Sequence, residues 1–379
     1  MSSSGGFPRD LLDRPASERL AHFKGYAVAH PLQKRAHQAL LRAIREPAGA
    51  ALVVLVGPTG VGKTTLRLKV EQELIRDALP ALDADRGRIP VAAVEAVAPD
   101  SGQFSWRDFY IRGLAALDEP LVGHKVDVDD PASRRAVTAR TKVVTADLRR
   151  AFEQALRQRR PAALLIDEAQ HLAKMRSGRR LQDQMDCIKS LASLTGATHV
   201  LLGTYELLVC RNLSAQLTRR SIDIHLAQDP EDALAFRRVL VSFQRQMPLA
   251  EEPDLAMRWE FCYERSVGCV GVLKDWLTRA LAATLREGAP ALAPRHLDDH
   301  ALTPAQCAAL AKEARDGEAE LGEPADAAAR LRALLGLDGG LGSAHAGTDA
   351  PRRPVRRRPG ERVPRRDPVG AGAPRGAMP

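Results

Sequence analysis

The chain has 379 residues, 45% of them hydrophobic but only 4% aromatic, and a formal net charge of +9. That length and apolar content support a sizeable core in one large or two smaller domains, and the excess of Ala, Leu and Val over aromatics favours helices around a small aliphatic sheet. The five cysteines (Cys187, Cys210, Cys262, Cys269 and Cys307) are odd in number and form no C-x-x-C pair, which excludes a disulfide framework or zinc site and fits free thiols in a reducing cytosol.

Residues 1–16 are Ser, Gly and Pro with little apolar content and are expected to be disordered. They lack the basic start and apolar core of a secretory signal. A helix is expected through "PLQKRAHQALLRAIRE", with Leu32, Ala36, Ala39, Leu40 and Ile44 on one face, Pro31 in its first turn and Pro47 beyond its end. "ALVVLV" reads as a strand buried on both faces of a parallel sheet. Then "TLRLKVEQELIRDAL" reads as helix, "IPVAAVEAV" as strand, "VTADLRRAFEQALRQRR" as helix and "PAALLIDEA" as strand. "QMDCIKSLASLTG" is a helix that Gly196 would stop, and "ATHVLLGT" and "SIDIHL" are two further strands. Alternating strands and helices imply a three-layer α/β fold with a parallel sheet.

After Asp229 the pattern becomes wholly helical, in "PEDALAFRRVLVSFQRQ", "PDLAMRWEFCYERS" and "VGVLKDWLTRALAATLREG", with one more helix around "DAAARLRALLGL". The expected organisation is an α/β nucleotide-binding domain at 17–228, a small helical domain at 229–314, and a linker with a disordered Arg/Pro-rich tail at 315–379. From Asp349 onward the tail carries six of the nine net positive charges, so overall basicity says little about the folded part. No apolar run reaches the roughly 18 residues of a membrane span, and a cytoplasmic protein without a membrane partner is expected.

"GPTGVGKT" fits G-x-x-x-x-G-K-[ST] at Gly57, Gly62, Lys63 and Thr64, with a strand before it and a helix after it. Nucleotide contacts are expected over Gly57, Pro58, Thr59, Gly60, Val61, Gly62, Lys63, Thr64 and Thr65. Backbone N–H groups there close around phosphate oxygens at a helix N-terminus. Lys63 would reach the β- and γ-phosphates, and the Thr64 hydroxyl would ligate Mg²⁺. "LLIDEAQHL" puts Asp167 at the carboxyl end of a strand, where open α/β sheets bind ligands. A carboxylate there can hold Mg²⁺ through water, and Glu168 can polarise the attacking water, which points to ATP hydrolysis by the chain itself. Thr204, ending "LLGT", is either a γ-phosphate or water contact or a strand-end turn. Arg219 and Arg220 are either a solvated pair or a finger inserted into a neighbour's site.

In these motifs and their order the chain resembles AAA+ ATPases. Within them it resembles the transposition ATPases of the TnsC/TniB/MuB group. "FKGYAVAHPLQKRAHQAL" is similar to the group's lead-in, "DEAQHL…DCIKSLASLTGATHVLLGTYEL…QLTRRSIDIHL" to its central segment, and "ERSVGCVGVLKDWLTRALAATLREGAPALAPRHL" to its lid. The resemblance implies an AAA+ core with a helical lid, Lys63 and Thr64 as the P-loop pair, Asp167 and Glu168 as Walker B acids and Thr204 as sensor 1. Arg220, with Arg219 close behind, matches the arginine finger. Lys274 matches a sensor 2 arginine, keeping its charge without the planar fork. It also implies ATP and Mg²⁺ as cofactors and self-assembly on duplex DNA as a ring or filament. A transposase would be recruited with a target selector, either a protein or a guide RNA complex, and hydrolysis would disassemble the whole.

Two basic clusters are candidates for sequence-neutral phosphate contacts, or alternatively solvated surfaces. One holds Lys125, Arg134, Arg135, Arg140 and Lys142, the other Lys174, Arg176, Arg179 and Arg180. Phe23 and Tyr26 pack either near the nucleotide base or in the core. The competing functional classes are a replication-initiator or helicase-loader ATPase and a nucleotide-gated interaction module without a DNA function.

Overall fold

The computed structural model describes residues 5–28, 30–98, 102, 104–124, 144–173, 178–211, 221–227, 233–322 and 326–337, with the side chains of 124, 173, 178–182, 210 and 211 excepted. The apolar run ahead of the glycine-rich loop is strand β1 (Leu52–Val56). Side chains alternate across a strand, and here the alternation feeds two cores. Leu52 and Val56 join one, Val53 and Leu55 the other. Strands β2 (Val91–Glu95), β3 (Ala163–Asp167), β4 (Thr198–Gly203) and β5 (Ser221–His225) complete an all-parallel sheet in the order β2-β3-β4-β1-β5. Every residue of β3 and β4 is buried, as expected for central strands covered on both faces.

After α1 (Ala16–Gly25), helices α2 (Pro31–Arg45) and α3 (Lys63–Ala84) cover one face. The other face carries α4 (Trp106–Ala116), α5 (Thr145–Arg159) and α6 (Gly178–Thr195). In α2 the buried stripe runs through Ala36, Leu40, Leu41, Ala43 and Ile44. Ala39, expected in that stripe, lies at its edge and is exposed. Helix α4 was not anticipated from sequence. The Ser105 hydroxyl caps it by accepting the Asp108 N–H at 3.3 Å, and its Phe109 meets Phe152 of α5 edge-to-face at 6.0 Å. Burying a side chain of this kind is worth about 1.5–3 kcal/mol, enough to fix a helix whose polar and apolar residues are closely mixed.

Strand β4 leads into a 3-10 turn (Tyr205–Leu207) and the short α7 (Leu208–Arg211). A helical part follows β5: α8 (Ala233–Gln246), α9 (Trp259–Ser266), α10 (Val270–Glu287), α11 (Pro294–Asp298) and α12 (Pro304–Leu321). Its core is built on Phe243, Leu273, Trp276, Leu277 and Leu281 and includes Phe23 of α1. The amino-terminal helix, grouped with the α/β part on sequence, therefore packs into the helical part, because Phe23 is fully buried there and Leu20 packs against the same core. Residues 5–13, read as disordered, lie against the end of α8. Phe7 N–H donates to the Arg245 carbonyl at 3.1 Å, and the Gln246 amide to the Gly5 carbonyl at 3.0 Å. Helix α12 passes residue 314 without a break. Residues 1–322 pack as one unit. In the second, 323–379, the described element is α13 (Ala327–Leu334), whose Leu331 and Leu334 are exposed. Among the described residues no helix is long and apolar enough to cross a membrane.

Candidate nucleotide-binding site

Parallel register brings the sequence motifs to one sheet edge. Val56 pairs with Gly203, and Glu95 with Asp167, so the loop after β1, Thr204 after β4 and Asp167 of β3 all end at the carboxyl edge. The Gly57 N–H donates to the Gly203 carbonyl at 3.3 Å, tying the loop to the neighbouring strand. Gly62 caps α3 with φ of 97°, a left-handed conformation that favours glycine, and a Cβ there would overlap the Gln33 side-chain amide. That amide donates to the Val61 carbonyl at 3.1 Å, so α2 braces the loop from outside.

Lys63 is buried, and its ammonium donates to the Gly57 and Pro58 carbonyls, both at 2.9 Å. Burial pulls its pKa down, and Glu168, Glu313 and Asp167 work against that pull, in that order. Thr64 and Thr65 stand exposed in the first turn of α3. One turn beyond Lys63, Arg67 donates to Asp167 Oδ2 at 3.0 Å and to Glu71 at 2.9 Å. The other oxygen of Asp167 accepts the Glu168 N–H at 3.0 Å. Glu168 itself has φ of 51°, uncommon for a residue with a side chain.

Gln170 links two of the expected residues. Its amide nitrogen donates to Glu168 Oε2 at 2.5 Å, and its amide oxygen accepts the Thr204 N–H at 3.2 Å. The Thr204 hydroxyl is buried and has no hydrogen-bond partner among the described residues. A buried hydroxyl left unsatisfied costs about 1–3 kcal/mol, and such orphans mark sites that expect a further group. The loop, with its inward lysine, its backbone N–H groups at a helix N-terminus and this orphan across the edge, fits a polyphosphate.

Sequence reading did not single out Arg67 or Gln170. Arg67 is i+4 from Lys63 and so shares its helix face; Gln170 is the last letter of "DEAQ". A narrow cleft beside the loop is lined by His30, Gln33, Val61, Leu226, Phe236 and Tyr263, among others, where the lead-in meets the helical part. Phe23 and Tyr26 instead pack edge-to-face on Phe243 in the helical core. Lys274 lies on α10, with its ammonium over the Phe23 ring at 3.5 Å from the centroid and donating to the Phe23 carbonyl. Burial lowers its pKa to about 7. The structure thus gives this lysine partners of its own in the helical core. Arg219, Arg220, Lys125, Arg134, Arg135, Arg140, Lys142, Lys174 and Arg176 lie outside the described residues, and Arg179 and Arg180 are described in backbone only, in the first turn of α6.

Residues 45–210 match the family model described as an AAA domain. No curated protein matches the chain. Among solved structures, the chain is similar to the Aeropyrum pernix ORC1 protein in complex with DNA, at 18% identity over 90% of this chain and 79% of that one, with a TM-score of 0.48. It is similar to the Aeropyrum pernix ORC2 protein at 14% identity over 73% and 70%, with a TM-score of 0.48. Domain III of the Thermotoga maritima replication initiation protein DnaA is similar at 14% over 77% and 95%, with a TM-score of 0.38. The matched segment ends in α7, just past Thr204, and sheet, loop and match agree: the chain has an AAA+ P-loop NTPase fold followed by a helical part.

Proposed function

We propose that the chain is an ATP-hydrolysing switch that assembles on duplex DNA as a ring or filament, recruits a transposase and its target selector there, and disassembles on hydrolysis. The observation that carries the hydrolytic part is the line Glu168–Gln170–Thr204 beside Lys63. Bound ATP would supply a polyphosphate whose terminal bond water can break, with Mg²⁺ screening its charge. Residues 57–65 would hold the phosphates, and Thr64 and Asp167 the metal, once Asp167 loosens from Arg67. Glu168 would take a proton from the attacking water at the oxygen that Gln170 does not occupy. The Thr204 hydroxyl would donate to the terminal phosphate or the water.

The transposition reading is supported by sequence, in the lead-in, central and lid stretches. Arg219 and Arg220 would act on a neighbour's nucleotide, and the two basic clusters would contact DNA phosphates. A switch of this kind requires that nucleotide favour the assembling conformation. Electron microscopy of the full chain with linear duplex DNA, with and without a slowly hydrolysed ATP analogue, tests the assembly. Rings or filaments are expected on DNA only with nucleotide. Free monomers under both conditions at low salt would overturn it. Assembly on DNA without capture of a transposase would favour the replication-initiator class.

A further inference from the structure

Helix α12 leaves the helical part and ends on the nucleotide site. Thr303 caps its start in a box with Gln306, and the Cys307 thiol donates to the Arg265 carbonyl at 3.5 Å. Further along, Glu313 accepts the Thr59 hydroxyl at 2.9 Å. Gly317 then lies flush on Tyr205: a Cβ there would fall 2.7 Å from Tyr205 Cβ and overlap the ring. One helix therefore touches the phosphate-binding loop and the turn after Thr204. A groove of about 620 Å³ is lined by Trp259, Tyr263 and Val267 together with Cys307, Ala308 and Ala311 of α12.

The loop contact carries the wrong charge for a phosphate site. Glu313 is one of three acids whose field acts on Lys63, with Glu168 and Asp167. The latter two have work to do in hydrolysis. Glu313 does not, and a polyphosphate seated against Lys63 would add negative charge beside it.

We propose that α12 is a nucleotide-responsive latch, closed by Glu313 on Thr59 and opened when a polyphosphate occupies the loop. The proposal rests on the reading that this loop binds nucleotide. Opening would also lift Gly317 from Tyr205, so the turn beyond Thr204 would report phosphate occupancy to the helical part. Because Glu313 and Thr59 meet near solvent, the latch is light, on the scale of one exposed hydrogen bond.

The test uses the full chain and a fluorescent, slowly hydrolysed ATP analogue. Glu313→Gln keeps an acceptor for Thr59 but removes the charge; Gly317→Ala forces α12 away from Tyr205 without changing charge. Both variants are expected to bind about fivefold tighter than wild type. The advantage of Glu313→Gln should shrink from about 0.05 to 0.5 M salt, and that of Gly317→Ala should persist. Amide hydrogen exchange in residues 304–321 of the wild type should quicken when the analogue binds. Unchanged or weaker binding in both variants, or slower exchange, overturns the latch while leaving the nucleotide site standing. Failure of the wild type to bind the analogue overturns the nucleotide reading itself.

Discussion

Gly271, the second residue of α10, sits directly on the phosphate-binding loop. A Cβ at 271 would fall 3.1 Å from the carbonyl carbon of Gly60 and closer still to its oxygen. Carbon atoms rest at about 3.5–4.0 Å, so the helix or the loop must give by up to an ångström. The loop cannot yield freely, because Gln33 braces Val61 and the Gly203 carbonyl holds Gly57. Overpacking of this kind costs about 1–3 kcal/mol, against the roughly 1 kcal/mol that alanine gains over glycine inside a helix. Backbone overlap outweighs the helix gain, and Gly271→Ala should destabilise by up to about 2 kcal/mol net, lowering Tm by a few degrees. Thermal unfolding checks this, with Gly25→Ala as control, since a Cβ there meets nothing within 4 Å. The same variant should bind an ATP analogue more weakly, because the strained partner is the loop. A Tm at or above wild type would show that the helical part does not press on the loop as described.

Thr204→Val removes the orphaned hydroxyl at equal shape. It should stabilise the unliganded chain by about 1 kcal/mol while lowering ATP turnover more than ATP affinity; calorimetry and steady-state kinetics together check it, and a loss of stability would mean the hydroxyl has a partner. The Lys274 pKa, depressed from 10.5 to about 7 by burial, predicts a pH slope. Above pH 7 the unfolded chain keeps the proton that the folded chain gives up, so stability rises between about pH 7 and the unfolded pKa of 10.5. Lys274→Met should flatten that rise in unfolding midpoints, and equal slopes in both proteins would refute it.

Strands β1 to β4 were legible as short, mainly apolar stretches between turn residues, β5 ("SIDIHL") by its alternating apolar residues, and the sheet edge followed from where these stretches end. Helix α4 was hidden by its own composition: aromatics at 106, 109 and 110 alternate with Arg107, Asp108 and Arg112, so no clean stripe emerges. The cap from Ser105 to Asp108 was the available signal. Lys63, Asp167 and Thr204 were readable from motif spacing. Arg67 on Asp167 was not, since the two lie 100 positions apart and only the fold brings them together. The same holds for Glu313 on Thr59, 254 positions apart. Lys274 was singled out by its place in the helical part, and only the fold shows that its ammonium lies over the Phe23 ring and meets the Phe23 carbonyl.

Gln170 has a consequence for the conditions under which the site stays wired. An amide neither gains nor loses a proton across the accessible pH range, and its bond to the Thr204 backbone involves no net charge. Ionic strength that would loosen exposed ion pairs leaves that bond in place. At that bond, the connection between the end of β3 and the strand of Thr204 is therefore insensitive to both acidity and salt. Should nucleotide binding or the proposed hydrolysis weaken in high salt or mild acid, the fault will lie in the site's cations and carboxylates, with the bond from Gln170 to the Thr204 backbone intact.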